Sequence, residues 1–119
     1  MNILIVEDEI LIAKSLKRLF ERNGHSVSIA HSGRDAIKLI LENDFDRILC
    51  DLMLQDTTGF DVIDESKQKY SNIEIESKIV IMTAYSSPQV LENAKKYNCK
   101  VLSKPFSDIH ASLKDILGD

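Results

Sequence analysis

The sequence predicts an α/β fold: a doubly wound, five-stranded parallel sheet in the order 2-1-3-4-5 with five helices. Three observations point there. Short apolar runs alternate with segments of helical periodicity along the whole chain, as successive strand–helix units require. Three of the runs are continuously apolar and two are not, which separates strands buried on both faces from edge strands. The 119 residues suit one domain that buries about two-thirds of its unfolded surface, so residues 1–119 are expected to form a single unit.

Each element follows in turn. Ile3-Leu4-Ile5-Val6 is the first strand. Leu11 to Arg22 is the first helix, with Ile12, Leu16, Leu19 and Phe20 on one stripe and Gly24 just past its end, where helices favour glycine. Ser26-Val27-Ser28-Ile29 alternates polar and apolar, as a half-exposed strand does. Ser32, three residues before Asp35, starts a helix that carries Ala36, Ile37, Ile40 and Leu41. Ile48-Leu49-Cys50 is the third strand, and Thr57 or Thr58 starts a third helix with Phe60 and Ile63. Tyr70 to Ser77 is the most polar connection and is expected to be a long loop. Ile79-Val80-Ile81-Met82 is the fourth strand. Ser87-Pro88 places a cap and then proline at the first helical position, ahead of Val90, Leu91, Ala94 and Tyr97. Val101-Leu102 is a short fifth strand, and Ser107 caps a last helix with Ile109, Leu113, Ile116 and Leu117. Strands one, three and four are the continuous ones, so strands two and five are the edges. Right-handed crossovers permit this order.

Composition narrows the function. The formal charge of −4 argues against direct nucleic-acid binding, which calls for a basic patch. No apolar run approaches the roughly 18 residues of a membrane span. The start Met1-Asn2-Ile3 has neither a basic n-region nor a cleavage site, so a cytoplasmic location is expected. Cys50 and Cys99 form no CxxC pair, which fits free thiols in a reducing compartment. Cys50, inside an apolar run, reads as buried and inert. His25, His31 and His110 have no metal-ligand spacing and read as solvated.

In a doubly wound sheet, ligands bind beyond the carboxyl ends of the strands, at the switch point between strands one and three. Strand one ends in Glu7-Asp8-Glu9, strand three at Asp51, strand four at Thr83-Ala84 and strand five at Ser103-Lys104-Pro105. One acid at a strand end is ordinarily a solvated loop residue, but here acids from two strands meet a hydroxyl and an ammonium. Two carboxylates about 5 Å apart repel by roughly 3 kcal/mol at an effective dielectric near 20. Three need a cation. Lys104 supplies one charge, and Mg²⁺ suits a site of few carboxylates, waters and a phosphoryl group. The plain alternative is a Lys104 salt bridge among surface acids with no metal. There is no GxGxxG and no GxxxxGK[ST]. An acidic loop after strand one would also repel the phosphate of a nucleotide or flavin.

At these residues the sequence resembles the receiver domains of two-component response regulators, chemotaxis-regulator-like and flavodoxin-like in fold. The resemblance covers essentially the whole chain. It rests on Ile3-Leu4-Ile5-Val6-Glu7-Asp8-Glu9, on Asp51-Leu52-Met53-Leu54 with Gly59 eight residues beyond Asp51, on Thr83-Ala84, and on Lys104-Pro105-Phe106. Each motif alone is weak, whereas four in order at strand ends are specific. The resemblance implies that Asp51 accepts a phosphoryl group from a phosphohistidine on a sensor histidine kinase or histidine phosphotransfer protein. It implies Mg²⁺ on Asp8, Asp51 and the backbone carbonyl of Met53, with Glu7 acting through water. Thr83 and Ala84 would contact the phosphoryl group and Lys104 would pair with it. It also implies a cis Lys104–Pro105 bond. Output to an effector or a second copy of the chain would use the helix after Ser87, the fifth strand and the last helix.

Departures from the family pattern carry information. Gln55 stands where the family usually has proline. Asn98-Cys99 replaces Gly-Ala, and Asn tolerates a left-handed helix exit. Val101 replaces the usual aromatic that swings inward with the threonine, so a smaller shift is expected on that face. Met53 and Tyr85, two residues after Asp51 and Thr83, are expected to flank the path of an attacking water; neither is a carboxylate or amide that could orient it, which predicts slow dephosphorylation. Two other function classes compete. One is a receiver-like binding module that never takes phosphate. The other is an enzyme: an aspartate phosphatase, against which Met53 stands in place of the second Asp, or a flavin protein, against which the acidic loop after strand one stands.

Overall fold

The computed structural model describes residues 1–84, 87–104, 114, 116 and 117. The elements run β1 Asn2–Val6, α1 Ile10–Arg22, β2 Ser26–Ala30, α2 Gly33–Glu42, β3 Arg47–Asp51, α3 Gly59–Ser66, α4 Asn72–Lys78, β4 Ile79–Thr83, α5 Pro88–Tyr97 and β5 Lys100–Ser103. Lys114, Ile116 and Leu117 are helical as well. The five strands form one parallel sheet in the order β2-β1-β3-β4-β5.

Strand character sorts the sheet as the sequence predicts. Every residue of β4, Ile79 to Thr83, is buried, and so are Ile3 to Val6 and Ile48 to Asp51. β2 alternates exposed and half-buried positions before Ala30, and both ends of β5 are exposed. Alternate residues of the central strands feed two cores. Leu4, Val6, Ile48, Cys50, Ile79 and Ile81 pack with α2, α3 and α4 through Ala36, Ile40, Val62, Ile63 and Ile75. Ile3, Ile5, Leu49, Val80 and Met82 pack on the other face with α1, through Ala13, Leu16 and Phe20, and with Ile116 and Leu117.

Local chemistry sets the helix ends. The side chains of Ser32, Thr58 and Ser87 each accept the backbone N–H three residues on, one bond for the donors a helix start leaves open. Thr58, not Thr57, is therefore the cap of α3. Gly24 and Asn98 take the left-handed conformation after α1 and at the end of α5, Gly24 because it has no Cβ and Asn98 because a short polar side chain tolerates it.

The polar stretch from Tyr70 to Ser77 is not a loop. Asn72–Lys78 is helical. Ser71 accepts the Glu74 N–H while Glu74 accepts the Ser71 N–H, a reciprocal capping box. Only Ile75 of this helix is buried, so no apolar stripe announces it. Tyr70 is buried ahead of it, and its hydroxyl accepts the Phe45 N–H.

Candidate functional site

The sheet register brings the predicted residues to one edge. Val6 pairs with Cys50, Asp51 with Met82 and Thr83 with Ser103. Glu7 and Asp8 therefore leave β1 beside Asp51, and Thr83 and Lys104 leave the next two strands at the same level. The Lys104 N–H donates to the Thr83 carbonyl at 2.8 Å, which extends the β4–β5 pairing by one step and aims the lysine back over the sheet. Its Nζ reaches Glu7 Oε2 at 2.6 Å and Asp51 Oδ2 at 2.8 Å.

This is a desolvated cluster. Glu7 and Thr83 are fully buried and Asp51 is 7% exposed. Burial pushes the Glu7 carboxyl up to about 7; Lys104 pulls against that, and the Asp51 charge adds to it. Burial alone would lower the Lys104 pKa, yet the hydrogen bonds to Asp51 and Glu7 outweigh it and leave the ammonium above its ordinary value. The Lys104 salt bridge of the plain alternative exists, but the acids it joins, Glu7 and Asp51, are buried and not on an open surface.

The donor set fits a hard divalent cation. Carboxylate oxygens of Glu7, Asp8 and Asp51 lie within 4.8 Å of one another. Fully ionised, these three acids against Lys104 leave two negative charges uncompensated, and the burial of Glu7 and Asp51 weakens their screening by water. Asp8 is only half-buried, so the cluster can be reached from solvent.

The chain after Asp51 is a tight turn. The Met53 N–H donates to Asp51 Oδ1 at 3.1 Å. Leu54 N–H donates to the Thr57 carbonyl and Gly59 N–H to the Leu52 carbonyl; these bonds flank Met53 without using its carbonyl. Gly59 is required for the fit: a Cβ there would stand 2.9 Å from the Asp51 carbonyl oxygen and 3.1 Å from Leu52 Cα. This explains the glycine eight residues beyond the acid.

Of the remaining predicted residues, Ala84 is exposed just past β4, and Met53 is exposed at 56%. Val101 is half-buried against the core that holds Phe60, Val90 and Tyr97. Tyr85, the Lys104–Pro105 bond, His110 and the cap at Ser107 lie outside the described residues. Cys50 is buried, its thiol pushed up by burial, and both cysteines are free. Two residues make contacts to these loops that no sequence pattern marks. His31 is exposed, as predicted, yet its Nδ1–H donates to the Glu7 carbonyl at 3.2 Å. Asp56 accepts the N–H groups of Gly33 and Arg34 at 2.9 and 3.0 Å. Both partners lie more than twenty residues away in sequence, so no local motif marks them; Gly33 just after a predicted cap is the only trace.

Comparison with known proteins agrees with this geometry. The model of the response regulator receiver domain matches residues 3–114. The chain is 33% identical over 120 residues to the transcriptional regulatory protein ZraR of Escherichia coli (strain K12), covering 98% of this chain and 26% of that protein. It thus spans about a quarter of the length of that curated relative. A two-component response regulator from Clostridium difficile superposes with a TM-score of 0.83 at 26% identity, covering 99% of this chain and 96% of that one. A response regulator from Burkholderia pseudomallei, solved with a phosphorylated aspartic acid, calcium ion and citrate, gives a TM-score of 0.79 at 27% identity, covering 97% and 65%. No helix among the described residues is long and apolar enough to cross a membrane. Strand order, acidic mouth and a family match over nearly the whole chain converge: this chain belongs to the response regulator receiver domains, phosphoaccepting modules of two-component signalling.

Proposed function

We propose that residues 1–119 act as one receiver domain in which Asp51 is the phosphoacceptor. The observation that carries this is the Lys104 ammonium held between Asp51 and the buried Glu7. A carboxylate beside a fixed cation is set up to take on further negative charge. An Asp51 oxygen attacks the phosphorus of a phosphohistidine. The P–N bond breaks, and its electron pair leaves on the imidazole nitrogen. The product carries about −1.5 to −2 charge at neutral pH. Lys104 pairs with that charge, the Thr83 hydroxyl donates to a phosphoryl oxygen, and the backbone at Ala84 lines the same side. Mg²⁺ held by Asp8, Asp51 and the Met53 carbonyl, with Glu7 through a water, would neutralise developing charge during transfer. The phosphorylated aspartic acid of the Burkholderia relative supports this assignment.

The donor would be a sensor histidine kinase or a histidine phosphotransfer protein, in the cytoplasm. Output would pass through α5, β5 and the helix around Ile116, to an effector or a second copy of the chain. Val101 cannot supply an aromatic swing, so the displacement there is small.

Beryllofluoride with Mg²⁺, followed by amide shifts, separates a phosphoacceptor from a receiver-like binding module. The expected result is saturable shifts at Asp51, Thr83 and Lys104, with smaller ones on α5 and β5, all lost in Asp51→Asn. No shift at Asp51, or shifts confined to α1 and α2, would overturn the proposal.

A further inference from the structure

The turn that follows Asp51 projects from the sheet. Met53, Gln55 and Asp56 are exposed, and Gln55 gives the backbone none of the restriction a proline would. Leu54 packs against the core, and the exposed tip beyond it is tied to the body of the protein through Asp56. The Asp56 carboxylate accepts the first two N–H groups of α2, Gly33 at 2.9 Å and Arg34 at 3.0 Å, one on each oxygen. Ser32 accepts the third, from Asp35, at 3.1 Å. These N–H groups have no partner within the helix, and its positive end favours a carboxylate. They hold the Asp56 carboxyl below the usual range.

A second observation shows that this contact is built. Gly33 is buried, and a Cβ on it would fall 2.2 Å from Thr57 Cγ2. The start of α2 and the turn approach so closely that only glycine fits without displacing Thr57. The same β2–α2 connection also reaches the other acidic loop, through the His31 Nδ1–H on the Glu7 carbonyl. One short segment therefore touches both loops that carry the proposed metal donors.

We propose that Asp56 is a positioning residue: docked on the first amides of α2, it fixes the 53–58 turn and thereby the direction of the Met53 carbonyl at the metal site. This rests on the reading of that site given under Proposed function. Where the family usually stiffens this turn with proline, this chain ties its tip to α2. Met53 lies three residues from Asp56, and the Leu54 N–H to Thr57 bond closes the segment between them, so motion of the tip is passed to the carbonyl.

The test is Mg²⁺ titration of the purified chain, followed by amide shifts, beside urea unfolding of each variant. Asp56→Ala is expected to raise the Mg²⁺ dissociation constant about tenfold, the low end of what loss of an outer partner of a metal ligand costs. Asp56→Asn keeps one carbonyl acceptor and should lose less; it carries the same test should Asp56→Ala not fold. Ser32→Ala is the control. It removes another cap of the same helix and should lower urea stability, but its hydroxyl bonds Asp35 and not the turn, so Mg²⁺ affinity should stay at the wild-type value. Wild-type affinity in both Asp56 variants overturns the proposal, as does an equal loss in Ser32→Ala. A wild-type chain that shows no saturable Mg²⁺ binding overturns the reading of the site itself, and Asp56 with it.

Discussion

Replacing Lys104 by methionine removes the cation from the site while keeping most of the side chain's bulk. Two interactions go: the 2.6 Å contact to Glu7 and the 2.8 Å contact to Asp51. A charge-assisted bond contributes about 1.5–3 kcal/mol, so loss of the Asp51 contact costs about 2 kcal/mol. The Glu7 part depends on pH. Its carboxyl already titrates near 7 in the folded protein, up from 4.5, chiefly through burial. A carboxyl with a raised folded pKa favours folding in its neutral form. That contribution is full below about 4.5 and is lost as pH rises through 7. At pH 6 Glu7 is mostly protonated, and losing Lys104 adds little. At pH 8 it is mostly ionised and leans on Lys104. Without the lysine it can be neutralised instead, one pH unit above its pKa, at about 1.4 kcal/mol. The expected destabilisation is therefore about 2 kcal/mol at pH 6 and about 3–4 kcal/mol at pH 8. Urea unfolding followed by far-ultraviolet circular dichroism in chelator reads this, and Glu7→Gln in both backgrounds should erase the difference between the two pH values. An equal loss at both, or a difference that survives Glu7→Gln, would refute the reasoning.

Two further outcomes follow from the same geometry. Gly59→Ala forces a Cβ against the Asp51 carbonyl, which cannot rotate aside; it should cost about 1–3 kcal/mol in urea unfolding, and a change below 0.5 kcal/mol, about the size of an ordinary surface substitution, would show that the backbone yields. The phosphorylated chain should lose its phosphoryl group slowly if, as the resemblance implies, Met53 and Tyr85 stand at the water path, because neither residue type is a carboxylate or amide that could orient a water. The Met53→Asn, Tyr85→Glu double variant should decay faster, by up to about 10²-fold, measured as loss of the phosphoryl mass with time, and an unchanged rate would remove these positions from control of water access.

The parts of the fold legible in the sequence are those where burial dictates residue type. Ile48-Leu49-Cys50 and Ile79-Val80-Ile81-Met82 must be apolar throughout because both faces are covered, and Ser26-Val27-Ser28-Ile29 can alternate because β2 is an edge. That contrast gives the strand order, and the strand order places Glu7, Asp8, Asp51, Thr83 and Lys104 at one mouth. Periodicity fails where a helix buries little: α4 covers only Ile75 and leaves Ile73 exposed, so its signal is the Ser71–Glu74 capping box alone. Asp56 and His31 escape for a related reason. An exposed acid in a turn and an exposed histidine after a strand read as solvated; only tertiary approach gives them partners, α2 against the turn for Asp56 and the loop after β1 for His31.

The central claim is that Asp51 takes the phosphoryl group with the help of a divalent cation. Incubation with acetyl phosphate and Mg²⁺, read by intact mass and then by peptide mapping, tests it most directly. The account predicts one added phosphoryl mass on the peptide containing Asp51, absent in Asp51→Asn and absent when the metal is chelated. Equal labelling of Asp51→Asn, or undiminished labelling in chelator, would contradict it.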